Sequence, residues 1–444
     1  MAQAIPNTIK LLDISHVTPF PSDSPESVTE FTLPLTFLDT FSFKFLPVQC
    51  LFFYSIQSSD QSLMASSLSK LRHSLSLTLQ YFLPLAGKLT WPPTSPRLTI
   101  LYKPGDAVSF TLAESTVDFH HFTRKHIHGA SESGPLIPNL LVNDVSSSIM
   151  ALQVTLFPNT GLCIGVTFHH AVLDGKSSAM FMKSWAYISK TNPPLSQELT
   201  PFYDRTTIKD PNDLNTLLVR TRGTVRLGTS NFRTKAWRNK KAPEMGLYEM
   251  EKNKRITSTL RLSPFVLASA YILTTMVKAT DGETNRRVYF VVTADYRRRL
   301  DPPLKDNYFG NCAGSHLGYA GEARELSKED GSAIVAAKIS NLINKFEKNG
   351  VLEGAEERLK SWGLLGPQSQ MVAITWSPQF DIYSSDFSWG RPLKIEIASV
   401  NGKSISLMES KDGSGGIEIG LVLKKHAMDR FDHLFRTNIK TLSN

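Results

Sequence analysis

The chain has 444 residues, of which 41% are hydrophobic and 20% charged, with a formal net charge of +9 and three cysteines. This is a globular composition with ample apolar material for a core, and no apolar run reaches the roughly 18 residues of a membrane span. Cys50, Cys163 and Cys312 are widely spaced and form no CxxC pair, which argues against a disulfide framework or a zinc ribbon and for a reducing compartment.

The excess charge is local. From Val219 to Arg255 there are eleven basic side chains against three acidic ones, nearly the whole surplus. A nucleic-acid binder would spread its basic character more widely, so no nucleic-acid partner is expected. The segment reads either as a solvated linker or as a patch that steers a phosphorylated small molecule. The opening residues MAQAIPNTIKLLDISHV lack the basic-then-apolar layout of a signal peptide, and the expectation is a cytoplasmic protein with no membrane partner.

In chain order, Leu68, Leu71, Leu75, Leu79 and Phe82 fall at helical spacing before the breakers Pro84 and Gly87. RLTILY and VSFTLAES read as strands. DFHHFTRKHIHG crowds His120, His121, His126 and His128, but no cysteine or carboxylate completes a metal site there, and no metal is expected. MALQVTLF and LCIGVTFHH flank PNTG as a hairpin. In its second strand Leu162, Ile164, Val166, Phe168 and His170 share one face, and Cys163, Gly165, Thr167 and His169 the other. Beyond Asp174-Gly175, Phe181, Trp185 and Ile188 mark an amphipathic helix.

NPPLSQELTPFYDRTTIKDPND then reads as a connector. The second half opens with the helix candidate SPFVLASAYILTTMVKA, followed by the buried strand RVYFVVTAD and the loop YRRRLDPPLKDNYFGN. A helix over DGSAIVAAKISNLINKF comes next, then strands around NGK and DGSGG turns. The last helix has Met428, Phe431, Phe435 and Ile439 as its apolar stripe. Strands and helices mix in both halves, which predicts a mixed α/β protein. Its parts would be an N-terminal domain over residues 1–200, a connector with the basic segment over 201–262, and a C-terminal domain over 263–444.

His170 ends an apolar strand. Partial desolvation there disfavours the imidazolium, leaving a neutral ring suited to a general base. No serine or cysteine stands in a G-x-S-x-G context, so the pattern points to direct transfer, a hydroxyl or amine attacking an activated carbonyl. From spacing alone Asp174 can orient the histidine, cap the following helix or pair with an arginine. A purely structural role for both residues, and a metal-dependent hydrolase built on His169, His170 and Asp174, remain open at this point.

HHAVLDG, followed later by Asp386-Phe387-Ser388-Trp389-Gly390, resembles the plant BAHD acyltransferase family, whose signatures are H-x-x-x-D and D-F-G-W-G. LPLAGKL (Leu83–Leu89) and ADYRRRLDPPLKDNYFGNC (Ala294–Cys312) agree with it further. The run Tyr308-Phe309-Gly310-Asn311-Cys312 resembles the branch that acylates anthocyanin, flavonoid and other phenolic glucosides. The agreement runs in order along nearly the whole chain.

The resemblance implies two chloramphenicol-acetyltransferase-like domains with a solvent channel between them. It implies acyl-CoA as co-substrate, no permanently bound cofactor and no metal. His170 becomes the general base, and Asp174, paired with Arg297, a brace for its loop. Thr375 and Trp376 match the positions of oxyanion donors, although relatives often carry small residues where Trp376 stands. The DFSWG run is a largely structural motif on the CoA side, with Ser388 in place of glycine. Malonyl-using members place an arginine in the helix after H-x-x-x-D, where this chain has Ser178, with Lys176 nearby as a substitute. The implied reaction is malonyl transfer from malonyl-CoA to a sugar hydroxyl of a phenolic or flavonoid glucoside by a monomeric enzyme. Hydroxycinnamoyl transfer to anthocyanin glucosides is the alternative, and a catalytically impaired ligand-binding relative is the reading of another class, motivated by the short basic middle and Ser388.

Overall fold

The computed structural model describes residues 9–20, 30–56, 61–91, 97–124, 127–220, 244–250, 262–361, 365–366 and 368–443. The protein is mixed α/β. A six-stranded sheet runs Ile9–Val17, Val108–Ser115, Met150–Phe157, Gly161–Phe168, Val48–Ser55 and Lys394–Ile397 from edge to edge. A seven-stranded sheet runs Ala313–Glu322, Arg287–Asp295, Gln370–Thr375, Ser404–Glu409, Ile417–Leu423, Glu244–Met250 and Ile127–Gly129. A small four-stranded sheet built around Thr99–Tyr102 flanks the first.

Each large sheet carries its own core. Gly161–Phe168 is buried along its whole length, as a near-continuous apolar run requires when both sheet faces are covered. Leu162, Ile164, Val166 and Phe168 pack with Phe181 and Trp185 of the helix Gly175–Thr191, whereas Cys163 joins Leu51, Phe53 and Phe119 on the opposite face. In the second half the helix Pro264–Ala279 is capped by Ser263, whose side chain accepts from Val266 N–H, and it buries Leu273 and Met276 against Val288, Phe290 and Val292.

The two halves exchange edge strands. Lys394–Ile397 comes from the second half yet pairs with Val48–Ser55 of the first, Lys394 opposite Phe53 and Ile397 opposite Cys50. Ile127–Gly129 comes from the first half and pairs with Glu244–Met250 in the second sheet. His128 and Glu396 tie the exchanged strands together with Nε2 and Oε2 3.1 Å apart, both buried. Burial pushes the Glu396 carboxyl up, but His128 and Lys394 beside it hold it down to about 2. The histidine-rich stretch therefore supplies a structural tie, with His128 also 2.9 Å from Ser133 Oγ; His126 lies outside the described residues.

Glu244–Met250 lies inside the stretch assigned to a connector, where the sequence marked no strand. Its buried Met245 and Tyr248 stand three apart with Gly246 and Leu247 between them and join different cores, so burial on both faces leaves no apolar/polar alternation to read. The rest of the basic segment, residues 221–243 and 251–261, lies outside the described residues. Among the described residues no helix is long and apolar enough to cross a membrane.

Candidate active site

A cavity of about 1450 Å³ lies between the halves. Phe45, His170 and Lys176 line it from one side, and Asn311, Thr375 and Trp376 from the other. The hairpin strand stops at Phe168, so strand parity does not reach the two histidines. A turn separates them instead: His169 N–H donates to Ile149 O (2.8 Å) and Val172 N–H to His169 O (2.9 Å). His169 is buried and stacks on Phe43 with centroids 5.8 Å apart. Desolvation takes its pKa down to about 3, so it is a neutral packing residue.

His170 opens onto the cavity, edge-on to Phe45 at 5.4 Å. Desolvation lowers its pKa below the ordinary 6.5, only partly offset by the Asp174 charge. Its Nδ1 is shut off from solvent without a hydrogen-bond partner, which leaves Nε2 as the nitrogen available to a ligand. Asn311 Nδ2 donates to the His170 carbonyl (2.9 Å) and to Asp39 Oδ1 (3.1 Å), and Asp39 also accepts from Asn311 N–H at 2.8 Å. His170 is thus held through its backbone by a residue of the YFGNC run.

Asp174 faces the interior. It is the N-cap of the helix Gly175–Thr191, accepting from Ser177 N–H at 2.8 Å. Arg297 donates to it twice, Nη1 to Oδ2 at 2.8 Å and Nη2 to Oδ1 at 3.1 Å, and Cys312 N–H donates to Oδ2 at 2.9 Å. Burial pushes this carboxyl up, but Arg297 and the two N–H groups overcome it, and its pKa falls below the usual 3.8. Arg297 is fully buried and also meets Asp295 Oδ1 (3.0 Å), Ser177 Oγ (3.0 Å), Tyr308 O (3.1 Å) and Gly310 O (3.2 Å). A guanidinium suits this position because its rigid fork satisfies a carboxylate bidentately and reaches two carbonyls besides.

Within the YFGNC run, Tyr308 and Phe309 are core residues, Asn311 holds the His170 carbonyl, and Cys312 offers its N–H while its thiol is buried. Gly310 has φ 135°, a conformation that favours glycine, and a Cβ there would come 2.0 Å from Arg205 Nη1, so a side chain would have to push that guanidinium aside. Arg205 in turn bonds the Tyr308 hydroxyl and lies 3.6 Å from Asp39.

Three site residues escaped the sequence reading. Ser177, Asp39 and Arg205 each act across more than 90 positions of sequence, and a polar residue bonded at that distance leaves no periodic trace. For Ser177 a weak signal existed, since the third residue after an Asp cap is where the cap's acceptor is met.

Several expected roles are altered. Lys176 lines the cavity, but its ammonium is held between Asp295 (3.2 Å) and Asp306 (2.7 Å), so a donor carboxylate would have to displace an aspartate. Ser178 is buried, with its hydroxyl donating to Asp174 O (2.8 Å), and does not line the cavity; it is no donor contact. Thr375 lines the cavity, yet its hydroxyl donates to Ile405 O (2.8 Å), which takes that proton away from an oxyanion. Trp376 lines the cavity with φ 63°.

None of Asp386, Phe387, Ser388, Trp389 or Gly390 is in the cavity wall. Asp386 accepts from Ser388 N–H (2.8 Å) and Gly390 N–H (2.9 Å), closing a turn, and Phe387 packs on Trp185 at 4.9 Å. The turn delivers the chain into the exchanged strand Lys394–Ile397, so its place here is structural and away from the cavity. Among the described residues no group of three or more metal-ligating side chains is found.

A profile of the Transferase family matches residues 15–437. Phenolic glucoside malonyltransferase 1 of Arabidopsis thaliana is 39% identical over 95% of this chain and 96% of its own. The malonyl-CoA:anthocyanidin 5-O-glucoside-6''-O-malonyltransferase of the same plant is 36% identical over 98% and 99%. Among solved structures, vinorine synthase superposes with a TM-score of 0.68 at 18% identity, covering 95% of this chain and 96% of that one, which bears on the fold.

Proposed function

The chain belongs to the BAHD family of acyl-CoA-dependent acyltransferases, and from that membership we propose that it moves a malonyl group from malonyl-CoA to a sugar hydroxyl of a phenolic or flavonoid glucoside. The observation that carries the chemistry is His170, a neutral imidazole opening onto a cavity shared by both halves, on a loop clamped by Asp174 and Arg297.

His170 Nε2 accepts the proton of the acceptor hydroxyl as its oxygen attacks the thioester carbonyl. The C–O bond forms and a tetrahedral oxyanion results. Its collapse breaks the C–S bond, and the departing thiolate takes the proton back from the imidazolium, so ester and free CoA leave and the base is regenerated. No protein acyl intermediate is needed. Asp174 does not carry the proton: its oxygens are occupied by Arg297, Ser177 N–H and Cys312 N–H, and it fixes the turn from which His170 projects. The enzyme works as a monomer without metal, taking CoA thioester and glucoside as its small-molecule partners.

A second donor is favoured by one contact. With Lys176 already held by two aspartates, an uncharged hydroxycinnamoyl thioester meets no cost of displacing a carboxylate. Offering malonyl-CoA and coumaroyl-CoA in turn with a panel of phenolic glucosides, and following free thiol, tests both. Thiol release with malonyl-CoA and a mass gain of one malonyl group on the glucoside is the expected result. Release with coumaroyl-CoA alone selects the second donor, and no release with either removes the transferase reading in favour of a ligand-binding relative.

A further inference from the structure

Seven non-glycine residues have positive φ among the described residues: five are Asn or Asp, whose short polar side chains tolerate the left-handed region, and a sixth, Ser388, sits in an exposed turn. The seventh is Trp376, at φ 63°. A bulky residue in that conformation is strained, and it persists only where its surroundings compel it or where the side chain is wanted in that place. Core burial does not supply the reason, because Trp376 is only partly buried and its side chain borders the cavity.

The indole has a defined seat. It meets Phe380 edge-on at 5.9 Å, and both rings close over Gly175, where a Cβ would come 2.8 Å from Phe380 and 3.6 Å from Trp376. Gly175 immediately follows Asp174, so the indole stands against the foot of the loop that carries His170. Phe45, 40% exposed and edge-on to His170, is a second apolar ring on the same cavity. Partly exposed aromatic surface beside a general base is suited to a flat apolar ring and poorly suited to a charged group.

We propose that Trp376 is the residue that selects an aromatic acceptor: its indole is the wall on which the aglycone ring of a phenolic glucoside lies while the sugar hydroxyl meets His170. This rests on the malonyl-transfer reading above, in which the acyl group is small and polar and the aglycone is the aromatic body closest to the reacting atoms. Trp376 acts through binding and not on the proton. Its effect therefore falls on the KM for aromatic acceptors, and not on the KM for the thioester.

The experiment compares 2-naphthyl glucoside with methyl glucoside as acceptors, with malonyl-CoA as donor, in the wild type, Trp376→Gly and Trp376→Phe. Glycine is at ease at φ 63°, so Trp376→Gly keeps the fold, which its thermal midpoint checks. The expected result is about a tenfold fall in the naphthyl-to-methyl ratio of kcat/KM in Trp376→Gly, carried by KM, and a fall of less than about threefold in Trp376→Phe. An unchanged ratio in Trp376→Gly, or a rise confined to the KM for malonyl-CoA, overturns the proposal. If the wild type releases no thiol with either acceptor, the transfer reading fails separately. Calorimetric binding of 2-naphthyl glucoside then decides the wall: weaker binding by Trp376→Gly supports it, and equal binding overturns it.

Discussion

The two runs YFGNC and DFSWG both lie in the second half of the chain, about 80 residues apart, and both hold a tight backbone turn. Their relation to the chemistry is opposite. Asn311 is one hydrogen bond from the backbone of His170, and Gly310 and Cys312 complete the cage around Arg297 and Asp174. DFSWG closes a turn on the outside of Trp185 and Tyr54 and feeds a strand into the other half's sheet. The difference shows in what each tolerates at its turn. Gly310 at φ 135° has a guanidinium where a side chain would start, whereas position 388 holds an exposed serine at φ 77° with its hydroxyl within 3.5 Å of Lys70. A closed polar cage takes an extra carbon only by displacing a bonded guanidinium, and a solvent-facing turn takes it freely.

Perturbations of graded size sharpen that contrast. The largest loss of turnover comes from the base that the cage serves. His170→Ala should lower kcat/KM by about 10²–10⁴-fold, with the thermal midpoint little moved, because the histidine is held by its carbonyl and not by its ring. In the wild type the acid limb of the kcat/KM profile should lie below pH 6.5, since desolvation lowers the His170 pKa and catalysis needs the neutral ring. A limb above 6.5 would place the titrating group elsewhere.

Arg297→Met comes next and acts on the cage itself. It leaves the buried carboxylate of Asp174 without its cation, while Asp295 keeps Lys176, and should cost about 3–5 kcal/mol of stability in denaturant titration, with activity falling in step. Arg297→Lys should recover only part, because one ammonium cannot reproduce the bidentate pair and the bonds to two carbonyls.

Gly310→Ala is smaller, about 1–3 kcal/mol from the positive φ and the collision with Arg205, and should lower kcat as well as stability through Asn311. Ser388→Gly is the smallest and of opposite sign. Relief of about 1–2 kcal/mol of left-handed strain, less about 0.5–1 kcal/mol for the extra freedom of glycine when unfolded, leaves a net gain of about 0.5–1 kcal/mol with turnover unchanged. If Ser388→Gly raised kcat instead, DFSWG would belong to the chemistry after all.

The sequence alone determined the elements whose cause is local. The hairpin Met150–Phe157/Gly161–Phe168 and the amphipathic helix after Asp174-Gly175 follow from periodicity and turn residues. Family resemblance added the order of the motifs and with it the proposed base His170 and the pairing of Asp174 with Arg297. Only the tertiary structure decided what is non-local: that Lys176 is already held by two aspartates, that Ser178 turns inward, that the Thr375 hydroxyl is committed to Ile405 O, and that Ser177, Asp39 and Arg205 join the cage. It also decided that each half lends an edge strand to the other. The physical reason is the range of the interactions. Side-chain periodicity reports the solvent on either side of a helix or strand, which neighbouring residues share, whereas a buried polar group is satisfied by whichever partner the packed chain brings within 3 Å.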